Sequence, residues 1–206
     1  MKTTGKLLAT ILLSTFLGVQ LFAGNYEVDN SKSTVKWTGK KVTGQHNGTI
    51  DFKSGSLEVK DNKIEGGTFK IDMTTIENAD IKDESSKQKL EGHLKSDDFF
   101  SVDKYPVSTL VVKKVQHKSG NDYSFTGDLT IKGVTHPVSF TAEVTIGNDR
   151  LVSGGVIEVD RTLYDVRYGS GKFFDNLGDN MIYDTFTLDF NVVATETSGT
   201  AMLETK

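Results

Sequence analysis

The sequence predicts an all-β protein: a closed antiparallel β-barrel of about eight strands, with a short helical insertion around residues 76–92. Three observations point to it. Past residue 24, apolar and polar residues alternate with period two in run after run, as in strands with one inward and one outward face. Turn-forming glycine, asparagine and aspartate separate these runs at hairpin spacing. One longer polar interval breaks the meander, which otherwise closes on itself.

The first 23 residues stand outside this pattern. Lys2 and Lys6 form a positive start, residues 7–19 are apolar, and Ala23 precedes an expected cut before Gly24, with Leu21 at the −3 position. This reads as a secretory signal peptide, too short and too weakly flanked for a membrane anchor. Residues 24–194 hold the barrel. Short strands are expected at 34–38, 49–52, 56–60, 68–72 and 156–160. Longer ones follow the alternations Val107 to Val115, Tyr123 to Ile131, Val138 to Ile146 and Phe186 to Ala194. Asp61-Asn62, residues 118–122 and residues 147–149 supply turns. Between Thr74 and Glu91 the only large apolar residues are Ile76, Ile81 and Leu90, so this stretch reads as a short helix across one barrel end. Residues 195–206 read as a polar tail, and no repeat or second domain is visible.

Composition narrows the function. Without the signal, 22 basic residues face 28 acidic ones, a net charge of −6. That argues against nucleic acid or anionic membrane as the main partner. The chain has no cysteine, which excludes disulfides, cysteine catalysis and cysteine-held metal. An outer-membrane barrel would need apolar outward positions, whereas Lys113, Glu143 and Asp189 occupy the polar faces here. A soluble periplasmic protein is expected, with no stable membrane insertion.

The stretch EGHLKSDDFF places His93, Lys95, Asp97 and Asp98 beside Phe99 and Phe100. Its charges suggest acid–base chemistry, yet no nucleophile elbow and no nearby second histidine accompany them. No catalytic residue is assigned. His46, His93, His117 and His136 stand singly, without metal-ligand spacing, so no metal and no cofactor are expected. Gly169-Ser-Gly-Lys172 lacks the glycine and hydroxyl residue of a phosphate loop, since Val166 and Phe173 occupy those places.

The aromatic residues are spread over the whole barrel segment. A barrel of this size is either filled by side chains or holds one small ligand. Gly39, Gly66, Gly67, Gly127, Gly154 and Gly155 fit both readings, as space along the axis or as bends.

Several pieces, in order, are similar to one known family. They are Val35-Lys-Trp37 with Gly39, Gly67-Thr-Phe69-Lys-Ile-Asp72, the run from His93 to Phe100, Tyr105-Pro106, the run from Gly127 to Gly133 with Thr135-His-Pro-Val138, and Asp160-Arg161 before Tyr164-Asp-Val166. From Tyr26 to Ala194 the chain resembles the YceI-like family of periplasmic, lipocalin-like barrels that bind polyisoprenoids and related amphiphilic lipids. The resemblance implies a periplasmic carrier for a polyisoprenoid, isoprenoid quinone or similar lipid, as monomer or homodimer. The alternatives are a stress-related structural barrel without ligand and a lipid-modifying enzyme. Trp37, Phe52, Phe69, Phe99, Phe100, Phe125, Leu129, Phe140, Phe186 and Phe190 are the expected cavity wall. Arg161, with Asp160 and His93, is the candidate for a head-group contact or for a rim fastener paired with Asp165 or Asp179.

Overall fold

The computed structural model describes residues 23–147 and 149–197. The expected signal segment (all but Ala23) and the tail beyond Thr197 lie outside the described residues. The strands are β1 (Ala23–Val28), β2 (Thr34–Lys41), β3 (Gly44–Lys60), β4 (Lys63–Asn78), β5 (Val107–Ser119), β6 (Asp122–Ile131), β7 (Val134–Ile146), β8 (Arg150–Asp160) and β9 (Ile182–Thr197), with helix α1 (Glu84–Lys95) between β4 and β5. All pairings are antiparallel. The order β3-β2-β9-β8-β7-β6-β5-β4 closes through β3–β4 into an eight-position barrel.

The ninth strand needs no ninth position. β1 pairs with the last part of β3 and the end of β9, while β2 pairs with the first part of β3 and the start of β9. The two are one strand broken at a corner. There Asp29 N–H donates to Val193 O (2.8 Å), and the Ser33 hydroxyl accepts from Val193 N–H (2.9 Å) and donates to Val193 O (3.2 Å). A side chain thus replaces the missing ladder partner, which is how a buried break keeps its backbone groups satisfied.

The structure adjusts several expected boundaries. The strands expected at 49–52 and 56–60 are one, because Lys53-Ser-Gly55 is absorbed by a register shift against β4 instead of forming a turn. β4 runs on to Asn78, with Met73, Ile76 and Asn78 buried. The helix therefore spans Glu84–Lys95, where Asp83 caps its first turn by accepting from Ser86 N–H (2.9 Å). β9 continues three residues into the expected tail, paired with β1.

The two ends of the barrel are closed differently. At the lower end the connections are the tight hairpins after β3, β5 and β7. Asp61 and Asn62 both take positive φ there, as a two-residue hairpin turn requires. Tyr26, Val144, Leu151, Val192 and Ala194 pack the interior at this level. At the upper end two long connections, 79–106 and 161–181, lie across the opening. α1 buries none of its residues completely, so it covers the opening without plugging it.

Candidate functional site

Above the packed floor the barrel encloses a cavity of about 260 Å³ with an almost wholly apolar wall. One water needs only about 10–15 Å³ on this measure, so the space suits a chain of atoms rather than scattered solvent. The inward face of β9 shows the change of level. Phe186, Leu188 and Phe190 border the cavity and are partly buried, Val192 borders its floor and is buried, and Ala194 below it is completely buried.

All ten residues expected in the wall border this cavity. Trp37 comes from β2, Phe52 from β3, Phe69 from β4, Phe125 and Leu129 from β6, Phe140 from β7, and Phe186 and Phe190 from β9. Phe125 stacks on Phe140 (centroids 5.2 Å, interplanar angle 12°), and Phe140 meets Phe190 edge-on at 5.8 Å. Trp37 is held by its ring nitrogen, which donates to Thr49 O and Glu77 O, each at 3.2 Å. Gly48 makes that pose possible, since a Cβ there would meet the indole at 2.7 Å and run into Glu77 O. Of the glycines that fitted two readings, Gly39 opens onto free space at the upper end. Gly155 lies under the Phe190 ring, and Gly67 and Gly127 are overlain by neighbouring carbonyls. Those three serve close strand approach rather than cavity volume.

Phe99 and Phe100 follow α1 and form a lip. His93, in the last turn of the helix, stands edge-on to Phe99 (4.9 Å) and Tyr168 (4.6 Å), while Phe100 meets Phe186 at 6.2 Å. Asp97 and Asp98 face solvent, Asp97 paired with Lys104 at 2.8 Å. The charged stretch thus divides into an aromatic inner edge and a solvated outer one.

Arg161 is 4% exposed at the end of β8. Its Nε donates to Tyr183 O (3.1 Å), Nη1 to Val166 O (2.8 Å) and Tyr168 O (2.9 Å), and Nη2 to Ile182 O (3.0 Å). The nearest carboxylate is Asp184, 3.9 Å from Nη2, rather than Asp165 or Asp179. A guanidinium has five N–H donors, and four are committed to backbone carbonyls. Arg161 therefore ties the connection 161–181 to the start of β9 as a rim fastener, and a head group would have to displace one of those carbonyls. Burial lowers the pKa of Arg161, opposed by Asp184 and Asp160.

Asp160 accepts from Thr162 N–H (2.9 Å) and from Lys172 Nζ (2.8 Å). Burial alone would raise its carboxyl, but the bonds from Lys172 and Thr162 outweigh that and hold it below the ordinary carboxylate value. The upper edge also contains Lys40, Lys41, Gln45 and His46 from the β2–β3 hairpin and Leu90 and Leu94 from α1, none of which was expected at the cavity. His46 is fixed by Asp80 at 2.8 Å.

The YceI-like domain model matches residues 26–194. The chain belongs to the YceI-like family. Among curated relatives of this family, a UPF0312 protein of Shewanella denitrificans is 32% identical over 104 residues, 50% of this chain and 49% of its own length. The chain thus spans about half the length of such relatives. The crystal structure of Burkholderia cenocepacia BcnA superposes with a TM-score of 0.67 at 24% identity, covering 82% of this chain and 99% of that one. A Saccharophagus degradans domain, described as polyisoprenoid binding and implicated in plant cell wall breakdown, superposes with a TM-score of 0.60 at 18% identity, covering 84% and 98%. These likenesses show the fold. Within this YceI-like barrel the stretch 127–138 is the β6–β7 hairpin. Lys132 and Gly133 turn it at positive φ, and the Tyr105 ring lies so near Gly133 that a Cβ would meet it at 2.8 Å.

Proposed function

We propose that the protein is a periplasmic carrier that holds a polyisoprenoid, isoprenoid quinone or similar amphiphilic lipid, tail inward, in its barrel. The observation that carries this reading is the apolar cavity itself, walled largely by aromatic and aliphatic side chains, with its charged neighbours Lys40, Lys41 and Arg161 at the upper edge. Burying a CH₂ is worth about 0.8 kcal/mol, so each isoprene unit contributes roughly 3–4 kcal/mol gross and a few units suffice for tight binding. Such an interior binds through contact area and needs no catalytic group, which favours a binding protein over an enzyme. The polyisoprenoid-binding description of the Saccharophagus neighbour supports the same ligand class. Because the floor is packed, a longer tail folds back or leaves through the upper end.

Periplasmic placement rests on the signal-like residues 1–23. The test is purification from the native host, organic extraction and lipid mass spectrometry, with intact-mass measurement of the protein. The expected result is about one prenyl lipid per barrel and a mature chain beginning near Gly24. Absence of lipid from native material, together with failure to take up an added prenyl quinone, would sink the reading.

A further inference from the structure

Among the described residues eight large hydrophobic side chains are exposed, and all but Val156 stand at the upper end. Several form one sector. Val42 tips the β2–β3 hairpin and its N–H donates to Met181 O (3.1 Å), which sets it beside Tyr183 at the start of β9. Phe173 and Phe174 lie on the neighbouring connection, their N–H groups both donating to Ser170 O at 3.1 Å. Tyr168 and Leu163 belong to the same connection. Phe173 and Phe174 are 45% and 49% exposed. A soluble protein rarely gathers its exposed apolar groups at one place without a partner for them.

We infer that this sector is a docking surface for a phospholipid bilayer, which presents the upper edge of the cavity to the membrane. Its chemistry fits the bilayer interface, where aromatic side chains settle at headgroup level and lysine stems lie along apolar surface with their ammonium groups at the phosphates. Lys40 and Lys41 border both the sector and the cavity, and neither has a carboxylate within 4.0 Å among the described residues. Arg167 stands over the Phe173 ring at 4.9 Å. The nearby acids Asp165 and Asp160 are paired, with Arg167 and Lys172. Asp175 and Asp179 on the same connection and the net charge of −6 without residues 1–23 oppose general adsorption, so docking is led by the aromatics and confined to this face. As a route for cargo the surface rests on the carrier reading, because a tail can then pass from bilayer to barrel without crossing water.

The test is flotation of the purified secreted protein with phosphatidylcholine vesicles, with and without phosphatidylglycerol, for wild type and a Phe173→Ser, Phe174→Ser double variant. Neither phenylalanine borders the cavity. The wild type should float with the vesicles, and the variant's bound fraction should fall about tenfold or more, since two half-exposed rings lose their apolar transfer. Binding of geranylgeraniol in vesicle-free buffer should be unchanged in the variant, which also serves as its folding control. A Lys40→Glu, Lys41→Glu variant should lose mainly the part of the binding that phosphatidylglycerol adds. Equal flotation of wild type and the phenylalanine variant, or no flotation of either, overturns the proposal. So does a wild-type dimer that the phenylalanine variant converts to monomer in sedimentation, which would make the sector a self-interface. Normal flotation without geranylgeraniol binding would leave the docking surface standing and remove the carrier reading.

Discussion

The lower and upper halves of the barrel are made from the same strands and the same alternation, yet one is a core and the other is a container. β9 passes through both. Its Ala194 is sealed among Tyr26 and Val144, Val192 and Leu151 form the buried floor of the cavity, and Phe186, Leu188 and Phe190 above them border the cavity only partly buried. The lower half is closed by short hairpins that bring neighbouring strands together, and by β1, which wedges between β3 and β9. The upper half is spanned by long connections that rest on its edge. Alternation makes a tube. Whether a level of the tube is filled depends on side-chain volume and on what closes the end.

The comparison is most easily broken at Phe140. A Phe140→Asp variant places a carboxylate in the cavity wall, where an unpaired charge beside a lipid tail is strongly disfavoured. Prenyl-lipid binding should fall roughly a hundredfold or more, with the sheet signal in circular dichroism intact. Retained binding would mean that the lipid does not occupy this level.

Arg161→Ala comes next in size and acts on stability. It removes four donors from one buried and three partly buried hydrogen bonds, so chemical denaturation should show a loss of about 3 kcal/mol, near the low end for breaking a buried charged contact. Affinity for head-bearing lipids and for plain prenyl chains should drop alike. A loss restricted to lipids with oxygen-rich heads would return Arg161 to the binding site.

A further pair of effects sharpens the contrast between the halves. Leu151 is completely buried at the floor, and Leu151→Ala should cost roughly 2–5 kcal/mol through lost transfer and a new void. Phe186 is only partly buried where it borders the cavity, so Phe186→Ala should cost less, about 1–2 kcal/mol, because it loses less buried apolar area. Equal losses in urea titrations would show that the two levels are packed alike.

These levels were unequally legible in the sequence. The wall residues could be read because period-two alternation is itself the wall: each of Phe125, Leu129, Phe140, Phe186 and Phe190 sits at an inward position of a strand. β1 was not read, since Ala-Gly-Asn-Tyr-Glu-Val carries only Tyr26 and Val28 as large inward residues, and its pairing depends on β3 and β9 far along the chain. The helix was placed too early because Ile76 and Asn78, set among polar residues, look like a loop until β3 is beside them. The upper edge was the least legible part. Lys40, Lys41 and His46 meet residues 182–185 only through β2–β9 and β2–β3 pairing, and no local pattern marks that contact. Arg161 was visible as a residue, but its choice between head group and fastener depended on carbonyls from two separate segments.

The smallest expected effect belongs to the Asp160–Lys172 pair, which fastens the same rim at its exposed side. Lys172 is half exposed, so Lys172→Ala should cost only about 0.5–1 kcal/mol at neutral pH. The pH dependence gives the result its meaning. Asp160 is held below its ordinary value in the fold, so its contribution is complete above the unfolded carboxylate value near 4 and is lost as pH falls through the lower folded value. Once Asp160 is protonated, Lys172 loses its nearer partner and keeps only the contact with Asp184 Oδ2 at 3.4 Å. Urea titrations at about pH 7 and at about pH 3 should therefore show the wild type losing stability with acid and the gap to Lys172→Ala narrowing. An unchanged gap at both pH values would mean that Lys172 supports the rim by packing its stem rather than by its charge.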